Sequence, residues 1–193
     1  MSDNIDDAEL HQIVQRVLSK VTGNAERPQT APTPPAQPTM ASGRKVVAIG
    51  ADHGGFELKG LLKTEISNLG FEVTDVGTNN KDAVDYPDFA HAVAQLVSTG
   101  KAWRGIMIDG AGIGSCIVAN KVPGVRAGMA YDVSSANNSR EHNDTNVLTL
   151  GAGLIGVNLA KQIVKVWLTT EFGGDRHQKR VDKIKSVEKQ YLK

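Results

Sequence analysis

Residues 105–121, GIMIDGAGIGSCIVANK, place an apolar run, a carboxylate and three alternating glycines directly before an apolar, helix-like segment. Gly105–Ile108 reads as a buried strand, and Asp109 falls where that strand ends. Gly110, Gly112 and Gly114 leave backbone N–H groups bare at the start of the next helix, where an anion is welcome. Asp109 at the edge of such a loop is a candidate for chemistry. The same glycines also suit a tight strand-to-helix turn that binds nothing. They do not continue to the last glycine of a dinucleotide fingerprint, and no Gly-Lys-Ser/Thr follows as in a nucleotide P-loop.

Outward from this stretch, the chain from residue 44 onward alternates strand-like and helix-like runs. KVVAIG (45–50) reads as a strand, FELKGLLKTEISNLG (56–70) as a helix and FEVTDVG (71–77) as a second strand. A helix around 88–99, the strand ending at Asp109, a helix from about 114 and the strand VRAGMA (125–130) come next. A helix near 133–142, the strand NVLTLG (146–151) and a helix around 155–170 follow. Repeated βα units with short connections predict an α/β fold, a five-stranded parallel sheet covered on both faces, over residues 44–193. Ligands in such sheets bind beyond the carboxyl ends of the strands.

Residues 1–23 and 24–43 differ in kind from this domain. Leu10, Ile13, Val14, Val17, Leu18 and Val21 recur at helical spacing, so the first segment predicts an amphipathic helix. The second holds five of the chain's seven prolines and almost no large apolar side chain, and predicts a disordered, Pro-rich linker. A helix held away from its own domain buries its apolar stripe on a partner, folds back on the body, or frays.

The 193 residues carry 22 basic and 21 acidic side chains, a net charge of +1, which provides no field to gather nucleic acid or an anionic membrane. Cys116 is the only cysteine, so an internal disulfide is impossible and an oxidising compartment is not indicated. No apolar run approaches the roughly 18 residues of a membrane span, and no secretory signal opens the chain. The expectation is a cytoplasmic protein with a small-molecule ligand or a protein partner. No His, Cys, Asp or Glu cluster has ligand-like spacing, so neither a metal nor another cofactor is expected.

Three further segments carry candidate chemistry. ADHGG (51–55) sets Asp52 and His53 at the end of the first strand, where Asp52 either caps the next helix or, with the imidazole beside it, contacts a substrate. His142 and Asn143 lie at a helix end in REHND (140–144), a place that also suits a plain surface histidine. Arg176 and Arg180, four apart in GGDRHQKRV (173–181), share a helix face and either grip one phosphate or face solvent. His91 is expected on an exposed helix surface and Cys116 as a packed thiol.

Taken in order, ADHGG, DYP (85–87), DGAGIG (109–114), ANKVPGVRA (119–127), REHNDTNVL (140–148) and RHQKR (176–180) resemble the ribose-5-phosphate isomerase B and galactose-6-phosphate isomerase family over residues 45 to about 187. The resemblance implies a metal-free, Rossmann-like α/β/α sandwich. It implies a homodimer or dimer of dimers with active sites at the subunit interface, and a phosphorylated sugar as substrate. The expected reaction is aldose–ketose interconversion through an enediolate, with ribose 5-phosphate and ribulose 5-phosphate the leading pair; the alternatives are a tetrose or hexose phosphate as substrate, or a relative that binds sugar phosphate as a scaffold without turning it over.

By the same resemblance, His142 is the acid/base that opens the sugar ring, with Asn143 beside it, and Asp52 binds the sugar hydroxyls. Tyr86 lines the pocket, and Arg176 and Arg180, with His53, bind phosphate. Gly110, Gly112 and Gly114 present N–H groups to the enediolate oxygens. The tail resembles the encapsulation peptides of bacterial microcompartment enzymes, which implies a shell or core protein bound through residues 5–21 and a location inside such a compartment.

Departures fall at the centre of the pattern. Asp109 and Ala111 stand where cysteine and threonine are common, Ser115 where one branch has a glutamate base, and Gly153 where an arginine is frequent. Cys116, seven residues on, is not the displaced cysteine. Asp109 is the candidate base. Burial would raise its affinity for a proton and a loop of N–H donors would lower it.

Overall fold

The computed structural model describes residues 43–191; the helix expected within 1–23 and all but the last residue of the expected linker lie outside them. In chain order the elements are β1 (Val46–Ala51), α1 (Phe56–Asn68), β2 (Glu72–Asp75), α2 (Tyr86–Ser98), β3 (Arg104–Asp109), α3 (Ile113–Ala119), β4 (Ala127–Met129), α4 (Val133–Glu141), β5 (Val147–Gly151), α5 (Val157–Thr169) and α6 (Asp175–Tyr191). Every strand pairing is parallel and the order across the sheet is β2-β1-β3-β5-β4. This is the expected Rossmann-like α/β/α sandwich with a five-stranded parallel sheet.

Side chains on successive strand residues point to opposite faces, so each central strand supplies two cores. Val47, Ile49, Ile106, Ile108, Leu148 and Leu150 pack with Leu62 and Ile66 of α1 and Ile163, Val164 and Trp167 of α5. Ala48, Met107 and Val147 meet Ala90, Val93 and Ala94 of α2 and Ala119 of α3 on the other face. Helices on both faces bury the sheet, which is why its strands read as continuous apolar runs.

Two expected strands are shorter in the structure. Of FEVTDVG only Glu72–Asp75 pairs with β1, because Phe71 turns aside to stack on Trp103 with ring centroids 5.5 Å apart. Of VRAGMA only Ala127–Met129 pairs with β5, because the Arg126 N–H is taken by the Asn146 side chain at 2.7 Å. Cys116 lies on α3 as expected but is half-buried rather than packed in the core. Its thiol faces the Ala127 carbonyl at 3.5 Å, and burial pushes its pKa up.

Trp167 is fully buried at the centre of the larger core, and its Nε1–H donates to the Thr145 hydroxyl at 3.0 Å. Replacing it removes the largest side chain of that core and leaves the buried Thr145 hydroxyl with Ser139 alone as its side-chain partner. Trp167→Ala is expected to cost about 3–5 kcal/mol of unfolding free energy, read as a lower urea midpoint with the m-value retained.

Candidate active site

In this strand order the chain steps outward to β2 on one side of β1 and to β3 on the other, so a crevice opens beyond the carboxyl ends of β1 and β3. Asp52 follows β1, is buried, and donates its N–H to the Ile108 carbonyl of β3 at 3.2 Å. Its Oδ1 accepts the Gly55 N–H at 3.1 Å, which closes the turn into α1. The helix N-cap is Gly55 and has no side-chain cap, so Asp52 braces the turn from outside the helix. His53 is exposed, with Nδ1 3.2 Å from both the carbonyl and the N–H of Val84, so the loop after β2 is held against the loop after β1.

That second loop is anchored by a residue that no motif in the sequence marks. Lys59 is almost fully buried and donates to Asp75 Oδ1 at 2.8 Å and to the Thr78 carbonyl at 2.7 Å, while Lys63 reaches Asp75 Oδ2 at 2.7 Å. Burial raises the proton affinity of Asp75, and the bonds from Lys59, Lys63 and the Gly77 N–H outweigh it, holding the carboxyl below its ordinary range. On a helix pattern, Lys59 looks like any solvent-facing lysine. Only the fold back of residues 75–78 buries it.

Asp109 ends β3 and is 4 % exposed. Its Oδ1 accepts the N–H groups of Ala111, at 2.8 Å, and Gly112; its Oδ2 accepts the N–H of Ser115, at 3.2 Å, and the Ser115 hydroxyl. The chain wraps round its own carboxylate, and Gly112 makes the wrap possible. Its φ is +79°, and a Cβ there would sit 2.9 Å from the Leu150 carbonyl carbon. At Gly114 a Cβ would run into the Tyr86 ring, so Tyr86, the first residue of α2, lies flat against the loop. Of the three glycines expected to offer N–H groups to a ligand, Gly112 is therefore committed to Asp109. The N–H groups of Gly110 and Gly114 have no acceptor among the described residues.

The remaining candidates gather elsewhere. α4 begins beyond the carboxyl end of β4, at a capping box in which Asp132 Oδ1 accepts the Ser135 N–H at 2.6 Å. It then runs back against the strand direction. His142 is its C-cap, close to Asp144 and Asn146, both of which are hydrogen-bonded to Arg126 ahead of β4. Asn138 Nδ2 donates to His142 Nδ1 at 2.8 Å, which leaves the proton of the neutral ring on Nε2. Asn143 is exposed beside it, 3.3 Å from the Asn138 carbonyl. The Gly173 N–H binds the Glu141 carbonyl at 2.9 Å, which brings the start of α6 to the same place. Arg176 and Arg180 are exposed there, and His177 between them is buried and stacked on His142, with centroids 4.1 Å apart and planes 9° apart.

The structure thus makes two groups. Asp52, His53, Tyr86, Asp109 and the glycine loop sit at the carboxyl end of the sheet; His142, Asn143, Arg176, His177 and Arg180 sit at its amino end. In register, Gly105 pairs with Val147 and Asp109 with Gly151, so the two groups are separated by the length of β5, roughly 16 Å at about 3.3 Å per residue. One chain does not bring them together.

The ribose/galactose isomerase family matches residues 47–184. This chain belongs to that family. Ribose-5-phosphate isomerase B of Escherichia coli is 44% identical over 144 residues, 75% of this chain and 97% of that protein. D-erythrulose-4-phosphate isomerase of Pectobacterium atrosepticum is 41% identical over 145 residues, 75% of this chain and 95% of that one. The solved structure of ribose-5-phosphate isomerase B from Clostridium thermocellum has a TM-score of 0.74 at 48% identity, covering 76% of this chain and 99% of that one.

Against the family pattern, the departures are concentrated in one contact network. Asp109 and Ser115 are hydrogen-bonded to each other, and Gly153 donates its N–H to the Gly110 carbonyl at 3.0 Å, leaving no side chain over the loop. Ser115 and His177 were not singled out as site residues. Ser115 is six residues from Asp109 and meets it only because the glycines reverse the chain; His177 had a visible signal in standing between the two arginines.

Burial pushes the His177 pKa down, and the positive charges of His142, Arg176 and Arg180 push the same way, against Glu141. Arg176 Nε donates to His177 Nε2 at 3.2 Å, a bond that requires this nitrogen unprotonated. Below its ordinary pKa of about 6.5 the unfolded chain takes up a proton that the folded chain resists, so stability falls as pH drops through that window. Urea midpoints are expected to decline from pH 7.5 to pH 5, and to decline less steeply in His177→Gln.

Proposed function

We propose that this chain is a metal-free aldose–ketose isomerase of a phosphorylated sugar, with ribose 5-phosphate and ribulose 5-phosphate as its leading substrate pair. The observation that carries the reading is the division of the family's motifs between the two ends of one sheet. A buried carboxylate in a loop of N–H donors is at one end, and a histidine with two arginines is at the other. Each is half of a site for a polar, doubly charged ligand.

Two copies related by a two-fold axis supply both halves twice. In the proposed homodimer the carboxyl end of one sheet faces the α4–α6 corner of the partner. Exposed apolar side chains border both regions, Ile113, Ile117 and Leu154 near the loop and Ile184, Val187 and Tyr191 along α6, which suits contact with a second copy. The partner's Arg176 and Arg180 bind phosphate with His53, and the partner's His142 protonates the ring oxygen as the sugar opens. Asp52 and Tyr86 hold the hydroxyls. Asp109 takes the proton from the carbon beside the carbonyl and returns it to the neighbouring carbon. The N–H groups of Gly110 and Gly114 meet the enediolate oxygens, whose charge is fully developed only at the transition state.

The purified chain is expected to interconvert ribose 5-phosphate and ribulose 5-phosphate, whereas Asp109→Asn and His142→Ala each lose at least about a hundredfold in kcat, as for removal of a general base or acid. Mixed and co-refolded, the two variants should regain about a quarter of wild-type activity, since half of the dimers are mixed and each has one intact site. No recovery would sink the shared site. A panel of tetrose and hexose phosphates belongs in the same assay, because the 41% identity to D-erythrulose-4-phosphate isomerase favours a four-carbon substrate as the second reading.

The reading extends to the tail. Leu10, Ile13, Val14, Val17 and Leu18 within residues 5–21 give one apolar stripe, ahead of a Pro-rich stretch too polar to pack, and this supports recruitment of the enzyme to a bacterial microcompartment in the cytoplasm through helix-in-groove binding. Removing residues 1–43 is expected to leave kcat unchanged and abolish co-sedimentation with assembled shells. Equal co-sedimentation of the truncated chain would overturn this.

A further inference from the structure

Among the described residues only two that are not glycine carry a left-handed backbone, Asp144 at φ +46° and Asp175 at φ +41°. Aspartate tolerates this conformation better than most side chains, though less readily than glycine. Both stand beside the amino-end group of site candidates, Asp144 two residues after His142 and Asp175 directly before Arg176. Of the two, Asp144 is gripped by a pair of guanidiniums. Arg126, ahead of β4, donates from Nη2 to Asp144 Oδ2 at 2.7 Å, and from Nε and Nη2 to the Asp144 carbonyl at 3.0 and 2.8 Å. Arg140, buried on α4, donates from Nη1 to Asp144 Oδ1 at 3.0 Å.

The Asp144 N–H returns to the Arg140 carbonyl at 3.1 Å, and the Thr145 N–H to the Ser139 carbonyl at 3.1 Å, so the chain closes off α4 at this point. Helices commonly end on a left-handed residue, and glycine is the usual one. An aspartate ends the helix and also ties it down, because its two oxygens bridge α4 to the segment entering β4 through charge-assisted bonds. The other contacts of His142 do not supply this tie. Asn138 rides on the same helix and His177 on α6, so they set the imidazole's tautomer and plane while Asp144 refers its helix turn to the sheet.

We propose that Asp144 is the positioning residue that aims His142 at the sugar ring, by locking the end of α4 between Arg126 and Arg140. This rests on His142 opening the ring. In the furanose form of ribose 5-phosphate the C4 oxygen is bonded to C1. Opening breaks that bond, its electron pair stays on the C4 oxygen, and this oxygen takes a proton from His142. The anomeric hydroxyl on C1 gives up a proton in exchange as the aldehyde forms, so nothing is consumed. One nitrogen that serves two oxygens on the same carbon depends on its aim. Erythrose 4-phosphate carries its phosphate on the C4 oxygen, so it cannot close a five-membered ring and needs no opening.

The test compares full-length wild type, Asp144→Ala, Asp144→Asn and His142→Ala on ribose 5-phosphate and erythrose 4-phosphate. Asp144→Ala is expected to lose about ten- to a hundredfold in kcat on ribose 5-phosphate with KM little changed, as for a misaimed group. Asp144→Asn, which keeps the left-handed turn and one acceptor, is expected to fall between it and wild type. The loss is expected to be confined to the cyclic sugar, and equal losses on both sugars would overturn the proposal. Arg126→Met cuts the same tie from the other side and is expected to show the same split, so the outcome does not depend on Asp144→Ala folding. A readout that needs no turnover of the tetrose is the ring-current shift that His177 imposes on the carbon-bound protons of His142, expected to shrink in Asp144→Ala. An unchanged shift, or wild-type kcat on ribose 5-phosphate in Asp144→Ala with His142→Ala inactive, would overturn the role of Asp144 alone. Normal turnover of ribose 5-phosphate by His142→Ala would overturn the ring-opening assignment beneath it.

Discussion

In a parallel sheet built from βα units, strands point one way and helices return the other way, so chain position fixes the end of the sheet at which a residue emerges. Asp52 and Asp109 follow strands and emerge at the carboxyl end. His142 follows a helix and emerges at the amino end, where Arg126, Asp144 and Asn146 are knitted together. No local rearrangement moves a residue from one end to the other, because that would require reversing an element whose apolar face is part of a core. The separation of the two groups is thus a consequence of topology, and a site that uses both is intermolecular by construction. In the proposed homodimer, association does more than add stability, since it assembles the chemistry.

The glycine loop shows how a short segment divides its donors. Three of its N–H groups, with the Ser115 hydroxyl, close on Asp109, and this fixes the direction of the loop and the start of α3. The N–H groups of Gly110 and Gly114 are left over, and Tyr86 lies across Gly114 where any side chain would block it. An aspartate here organises the loop to a degree that a residue with one polar atom could not. The same feature constrains it as a base, because each donor that shapes the loop also occupies a lone pair of the carboxylate.

What the sequence made legible follows from what is local. The central strands were readable because both faces are buried and the apolar runs are unbroken, and α4, though polar, was readable between Asp132 and His142. The strand ends were not, because the Phe71 ring is drawn to Trp103 and the Arg126 N–H to the Asn146 side chain, which no local pattern encodes. Asp52, His53, Asp109, His142, Arg176 and Arg180 were visible as residues in motifs. The roles of Lys59, Ser115 and His177 were not, even with His177 standing between the two arginines, since the burial of a lysine, a serine behind a carboxylate and a stack of two imidazoles each arise from contacts made after the chain has folded.

The stacked histidines divide their labour for an electrostatic reason. Two imidazoliums with centroids 4.1 Å apart would repel strongly, and Arg176 and Arg180 add positive charge to the same corner, so the pair can hold one proton far more easily than two. His177 is the ring that burial keeps neutral, and its Nε2 is already engaged by Arg176. On His142, Nδ1 is held by the Asn138 amide, which leaves Nε2 as the nitrogen free to exchange a proton. In the proposed reaction that nitrogen gives its proton to a ring oxygen across the dimer interface. His177 then acts as the flat, neutral plate against which the His142 ring is stacked.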